Sequence, residues 1–297
     1  MGLIGSSIIR GARQQNIADE LVACDTSGLV RQRVAKLGLA DHVVASPAQA
    51  VEGADMVILC TPVGVIGAVA QEMAPGLRSD VIVSDVGSVK KSVMDAVSPY
   101  LKKSMRFVPA HPVAGTEYSG PDAGFAELFV NRWCILTPPE NEDPDAVETV
   151  SALWRALGSN VEVMTATHHD MVLAITSHVP HLIAYNIVGT AAHLEEVTSS
   201  EVIKFSAGGF RDFTRIAASD PTMWRDIFLH NKSAVLEMLA RFSKDLVAAQ
   251  AMIEADDGDG LFQLFTRTRA IRRGIIELGQ ETSAPDFGRR GAPTGDS

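Results

Sequence analysis

Through its first 165 residues the chain alternates short apolar runs with segments of helical apolar spacing, and that alternation admits few folds. The runs are Leu21 to Cys24, Met56 to Cys60, Val81 to Ser84, Arg106 to Pro109, Trp133 to Thr137 and Val161 to Met164. Strands separated by helices cannot close as hairpins. They pair in parallel through crossovers, with helices covering both faces of the sheet. The predicted fold class is therefore α/β, a doubly wound parallel sheet over residues 1–165. Several runs end in polar or proline-containing segments, Thr61-Pro62, Asp85-Val86-Gly87-Ser88 and His111-Pro112. Ligands of open parallel sheets bind at those carboxyl ends. From Thr165 the pattern turns to long helical stretches, so residues 166–280 are predicted to form an all-helical dimerisation and substrate domain. Residues 281–297, rich in Gly, Pro and Arg, are predicted to be disordered.

The chain opens Met1-Gly2-Leu3-Ile4-Gly5-Ser6-Ser7, which reads as the second half of a GxGxxG dinucleotide turn already entering its helix. Gly2 takes the place that admits a pyrophosphate, and Gly5 the place where helix packs on strand. The first glycine and the strand before it are missing, so the sheet is expected to lack its first strand. The natural chain is expected to start about ten residues earlier. Asp25 follows the apolar run Leu21 to Cys24, about 20 residues past the last glycine, where a Rossmann-like fold places its ribose-binding carboxylate. That charge favours NAD over NADP, although Thr26 and Ser27 leave NADP open. The bland alternative for Asp25 is a turn residue after a strand. The expected cofactor contacts are Gly2, Leu3, Ile4, Gly5, Asp25, Thr61 and Pro62.

With 297 residues and 46% apolar content the chain can bury a core of its own. A net charge of −10 argues against a nucleic-acid surface. No stretch approaches about 18 uninterrupted apolar residues, and no secretion signal opens the chain, which predicts no membrane partner and a cytoplasmic protein. Cys24, Cys60 and Cys134 have no metal-like spacing and are predicted to be reduced thiols; no metal site is expected. The patterns Glu237 to Ile253 and Leu261 to Leu278 are amphipathic helices whose spare apolar faces predict a homodimer. The acidic run 256–260 between them reads as an interhelix loop rather than a calcium site.

Candidates for chemistry are few. His111, in Val108 to Gly115, lies just beyond a strand on the cofactor side, and Pro112 restricts it to extended backbone. A solvated loop histidine is the alternative. Ser88, in Ser84 to Lys90, is either an N-cap or a hydroxyl for substrate and histidine. His178 and His181 share a helix face. His168-His169-Asp170 reads as structural, with Asp170 in a first helical turn. Gly208-Gly209 beside Arg211 and Arg215 looks like a bend bringing guanidinium groups to an acidic ligand, with ordinary ion pairing as the alternative.

In combination, Gly2 to Ser7, Asp85 to Lys90, His111 to Glu117, Ser177 to His181 and Gly208 to Ala217 resemble, in this order, the prephenate and arogenate (cyclohexadienyl) dehydrogenases of tyrosine biosynthesis. The resemblance implies NAD-dependent oxidative decarboxylation of a small-molecule substrate, prephenate or arogenate. It makes His111 the catalytic base, with Ser88 orienting it. Arg215 would hold a substrate carboxylate, His178, His181 and Trp224 would line the pocket, and Glu117 would belong to an ionic network at its mouth. A dicarboxylate needs a second donor, for which His181 is the candidate. Two other readings compete. A β-hydroxyacid-type dehydrogenase would rely on a lysine of the second half, where Lys204, Lys232 and Lys244 lack a glycine-rich context. A non-catalytic cofactor or metabolite sensor is suggested by the incomplete glycine loop.

Overall fold

The computed structural model describes residues 1–116, 118–198 and 208–277, with the side chains of 194–198 and 275–277 excepted. Helix α1 (Leu3–Gln14) is followed by β1 (Val22–Cys24), α2 (Gly28–Lys36), β2 (His42–Val44), α3 (Pro47–Ala50), β3 (Met56–Leu59), α4 (Ile66–Met73), β4 (Ile82–Asp85) and α5 (Lys91–Val97). Strands β5 (Arg106–Phe107), β6 (Ala110–Pro112) and β7 (Trp133–Leu136), helix α6 (Pro144–Ala156) and strand β8 (Asn160–Val163) complete the sheet region. β1 pairs with β2, and β3, β4 and β5 pair in that order, all in parallel. Among the described strands β1 and β3 are each paired on one side only.

Helix α1 covers both groups of strands. Ile9 packs with Ala23, Val34 and Leu39 against β1 and α2, while Leu3 and Ile8 pack with Ile82, Val108 and Leu136. Gly5 faces Cys60 at the end of β3, where a Cβ would stand 3.2 Å from the Cys60 Cβ, tighter than an ordinary contact, so the glycine lets the helix sit close on the strand.

Two features of the strands differ from the sequence reading. Strand β2 was not among the predicted runs, because His42-Val43-Val44 is short and only half apolar; pairing with Val22, Ala23 and Cys24 makes it a strand. Of the predicted run Arg106 to Pro109 only Arg106 and Phe107 form β5, and the chain then starts a separate three-stranded sheet, β6-β7-β8, in which β6 is antiparallel to β7, with His111 opposite Ile135, and β7 is parallel to β8. The strands β1 to β5 are thus paired in parallel throughout, the antiparallel pairing is confined to β6 and β7, and His111 stands in a strand rather than in a loop beyond one. Val108 and Pro109 bridge the two strands: the Val108 amide donates to the Val83 carbonyl, and the Pro109 carbonyl accepts from Thr137.

After β8 come α7 (Ala166–Leu173), a π-helical turn over Ala174–His178 and α8 (Val179–Thr198). Pro180 has no N–H for the Thr176 carbonyl, and the wide turn, in which the Val179 amide donates to Ala174, absorbs the interruption. The stretch Ala166–His193 is long and apolar enough to cross a membrane by composition. It nonetheless carries His169, Asp170 and His178 buried and hydrogen-bonded inside the fold, which suits a core helix. Further on lie helices Gly208–Thr214, Pro221–His230, Lys232–Glu254 and Gly258–Glu277 and a 3₁₀ turn over Arg215–Ala218.

Gly208 and Gly209 open a helix, so the predicted bend is absent; the turn comes later, at Arg215. The acidic run is likewise only half loop. Asp257 accepts from the Gly260 amide, capping a helix that already contains Asp259. By compactness the chain divides into Met1–Met238 and Leu239–Ser297, because Trp224 and Ile227 of helix Pro221–His230 are buried in the same cluster as Val63, Ile66 and Val83. The predicted tail lies outside the described residues.

Candidate active site

At the carboxyl ends of β1, β3 and β4 stand Asp25, Thr61-Pro62 and Ser88, beside the N-terminus of α1. Gly2 is the N-cap of α1 and has open space where its Cβ would be, so the first turn of α1 has no side-chain cap. Such a helix end suits a phosphate. The Thr61 hydroxyl is buried and has no hydrogen-bond partner among the described residues. Asp25 accepts from the Ser27 amide at 2.8 Å and pairs with the Met1 amine. Arg31 donates to the carbonyls of Asp25 and Thr26 at 2.7 and 2.9 Å. An open glycine, an uncapped helix end, an orphaned hydroxyl and a carboxylate at the right strand end fit a dinucleotide.

Ser88 is half-buried in the bend after β4 and is not the cap of α5, whose N-cap position is Lys90 with no side-chain cap of its own. The cap comes from elsewhere. Asp170, on α7, accepts the Lys90 amide at 2.8 Å on Oδ1 and the Lys91 amide at 3.0 Å on Oδ2. Asp170 lies past the first turn of its own helix, which Thr165 caps, and of the three neighbours His169 and Asp170 are buried while His168 is exposed. His169 Nδ1 lies 2.8 Å from Asp170 Oδ1, and its Nε2 lies 2.8 Å from His111 Nδ1.

Beneath this trio runs a buried ion pair. Lys90 Nζ donates to Asp85 Oδ2 at 2.5 Å and to the Ala110 carbonyl, one residue before His111, at 2.6 Å. Both side chains are wholly buried, and Asp85 Oδ1 has no hydrogen-bond partner among the described residues. Burial opposes charge on both members, raising the Asp85 carboxyl and lowering the Lys90 ammonium. Neither Lys90 nor Asp85 was legible as functional beyond membership of the Asp85 to Lys90 segment.

His178, at the end of the π turn, and His181, on α8, both meet Trp224: His181 stacks on it at 3.6 Å between centroids, and His178 approaches edge-on at 6.1 Å. Asn231 Nδ2 donates to the Asp170 carbonyl at 2.8 Å, which fixes the amide's orientation, and the same nitrogen lies 3.1 Å from His178 Nδ1. His178 Nδ1 is thus an acceptor, and the proton of the neutral ring is on Nε2. Among the described residues that Nε2, which is buried, has no hydrogen-bond partner, and neither has the buried Trp224 Nε1. His181 Nδ1 donates to the Ser177 carbonyl at 2.8 Å. Arg215, in the exposed 3₁₀ turn, lies close enough to oppose protonation of His181. Glu117 lies outside the described residues. Among the described residues no three side chains are placed to hold a metal ion.

Burial holds the histidines neutral. His111 is driven well below the usual histidine value by desolvation and by the neighbouring His169, Lys90 and His178, and His178 is lowered to about 4 by desolvation first and His169 second. His169 is lowered by burial in spite of its bond to Asp170. Asp170 is itself opposed by burial, but hydrogen bonds from His169 and the Lys90 and Lys91 amides outweigh it and hold the carboxyl below the usual range. A histidine with a depressed folded value binds its proton in the unfolded chain first. Stability is therefore complete above about 6.5 and declines as pH falls toward 4, with His178 alone accounting for about 3 kcal/mol at the acid end. The melting temperature is expected to fall steadily over that window in a pH series; a flat profile would contradict neutral burial.

A parallel sheet with an uncapped helix at its carboxyl edge, and a buried neutral histidine beside it, define a dinucleotide-dependent dehydrogenase. Residues 9–163 match the family model of the prephenate dehydrogenase nucleotide-binding domain, and residues 165–267 match that of the prephenate dehydrogenase dimerization domain. Cyclohexadienyl dehydrogenase of Zymomonas mobilis is 43% identical over 272 residues, covering 92% of each chain. Prephenate dehydrogenase of Bacillus subtilis is 34% identical over 97% of this chain and 77% of its own. The crystal structure of prephenate dehydrogenase from Aquifex aeolicus, in complex with hydroxyphenyl propionate and NAD+, superposes with a TM-score of 0.86 at 32% identity, covering 92% of this chain and 95% of that one. The chain belongs to the prephenate dehydrogenase family.

Proposed function

We propose that this chain catalyses the NAD-dependent oxidative decarboxylation of prephenate to 4-hydroxyphenylpyruvate. The observation that carries the reading is His111: buried, neutral, and tied through Nδ1 to His169 so that its other nitrogen remains for a ligand. His111 takes the proton of the ring hydroxyl as the carbon bearing it is oxidised. NAD, when bound, supplies the acceptor for the hydride that leaves that carbon. Loss of the ring carboxylate as carbon dioxide then makes the ring aromatic, and His111 returns its proton to the phenolate oxygen. The resemblance supports Ser88, in the bend after β4, as the hydroxyl that orients both substrate and histidine.

For the substrate's carboxylates the supporting groups are Arg215 and His178. The hydrogen bonding supports His178 rather than His181 in the second role, since the neutral His181 presents a lone pair on Nε2 whereas His178 presents an N–H with no partner among the described residues. His181 and Trp224, stacked, form an apolar wall. The Asp25 carboxylate, repelling a 2′-phosphate, supports NAD over NADP. Arogenate as a second substrate is supported by the likeness to a cyclohexadienyl dehydrogenase.

The division into a cofactor part, 1–165, and a substrate part, 166–280, is supported by the positions of Asp25 and Thr61 in the one and His178 and Trp224 in the other. A homodimer is supported by exposed Leu246, Val247, Ile253, Phe262, Phe265 and Ile271 on the last two helices, and a cytoplasmic enzyme is the setting that suits this chemistry. The test is reduced-nicotinamide formation with prephenate, with arogenate and NADP as further arms. Turnover with prephenate and NAD is expected; binding of NAD without turnover of either substrate would favour a sensor.

A further inference from the structure

Every proton in the chain of contacts behind His111 has only one place to be. The backbone amides of Lys90 and Lys91 can only donate, so both oxygens of Asp170 act as acceptors, and Asp170 is ionised. The ring nitrogen 2.8 Å from Asp170 Oδ1, His169 Nδ1, therefore carries a hydrogen. In a neutral imidazole the other nitrogen then has the lone pair, so His169 Nε2 accepts. Its partner at 2.8 Å, His111 Nδ1, must donate, which leaves His111 Nε2 bare.

We propose that His169 and Asp170 are positioning residues that, through these two hydrogen bonds, hold His111 in the one tautomer able to take a proton at Nε2. The proposal rests on the reading of His111 as the proton acceptor. Asp170 has a separate duty in capping α5, but His169 has none. It is wholly buried, and its side-chain hydrogen bonds are the two that link Asp170 to His111. When the substrate hydroxyl gives its proton to His111 Nε2, the resulting imidazolium keeps its Nδ1–H on His169, with the Asp170 carboxylate behind. The relay hydrogens stay on their nitrogens, and the transferred proton goes back to the phenolate oxygen. A doubly protonated His169 would reverse the scheme, turning His111 Nε2 into a donor; burial and the neighbouring Lys90 ammonium oppose that state.

The test reads the tautomer directly. Long-range ¹H–¹⁵N spectra of histidine-labelled enzyme at neutral pH, with the His111 signals assigned by their loss in His111→Asn, are expected to show Nδ1 protonated and Nε2 bare. In His169→Phe both His111 tautomers are expected to appear, and kcat for prephenate to fall about 10²- to 10³-fold with KM and NAD affinity unchanged. His169→Gln, whose amide oxygen can accept from His111 Nδ1, is expected to recover part of that loss. A wild-type His111 protonated on Nε2, or unchanged kcat in His169→Phe, would overturn the proposal. If His169→Phe does not fold, the wild-type spectrum and the glutamine variant decide. If the wild type turns over neither prephenate nor arogenate, the functional reading fails, and the spectrum still judges the relay.

Discussion

His111→Asn is expected to abolish most turnover, lowering kcat by about 10²- to 10⁴-fold, the range that a positioned acid–base group contributes. Asparagine is the informative replacement because its amide reaches the position of imidazole Nδ1 and can still donate to His169 Nε2, 2.8 Å away in the native protein. What it lacks is a nitrogen in the place of Nε2. The variant therefore keeps the buried contact and loses only the group that takes the proton. NAD affinity, followed by protein fluorescence, should not change, since none of the expected dinucleotide contacts belongs to β6. Should kcat survive, the base lies elsewhere, and the lysine-dependent β-hydroxyacid alternative returns.

Lys90→Met should have the largest effect on stability, about 3–5 kcal/mol, because it removes one partner of a wholly buried ion pair and leaves the other charge in place. Among the described residues Asp85 already has one oxygen without a hydrogen-bond partner, and the Ala110 carbonyl would lose the Lys90 donor. Methionine matches the lysine stem in length, so the loss reflects charge and hydrogen bonding rather than volume. The double variant Asp85→Asn/Lys90→Met checks the cause. Asparagine can still accept from the Gly87 amide, now 2.7 Å from Asp85 Oδ2, without a net charge. It should recover more than half of the lost stability in urea unfolding. Equal instability of single and double variants would show that the pair matters only by packing. Because Lys90 Nζ holds the carbonyl preceding His111, kcat is also expected to fall in the single variant, ahead of any change in NAD binding.

Lys90 therefore draws together two parts of the chain that only the folded protein brings near each other. Its side chain reaches Asp85 and Ala110 on neighbouring strands, and its backbone amide reaches Asp170, 80 residues away. The segment Asp85 to Lys90 was read for its serine. The structure gives that segment a further role through the lysine, because a cation that cannot reach water must have its partners supplied by the fold.

The sequence by itself determined the α/β character of the first half, the helical second half, the glycine positions at the start of α1 and the prominence of His111. These follow from local chemistry: apolar period, backbone freedom and the restriction that Pro112 puts on the residue before it. His178, His181 and Trp224 were also named from the sequence, and the structure gathers them around one aromatic ring. Only the tertiary structure decided which nitrogen of each histidine carries a hydrogen. The triplet His168-His169-Asp170 reads as structural from its sequence, yet the fold brings the His169 ring between Asp170 and His111, 58 positions back in the chain. Strand β2 needed the edge of β1, since three residues with one histidine have no apolar signal of their own. Hydrogen-bond direction, burial and protonation depend on partners distant in sequence, and chain order alone does not say which donor will meet which acceptor.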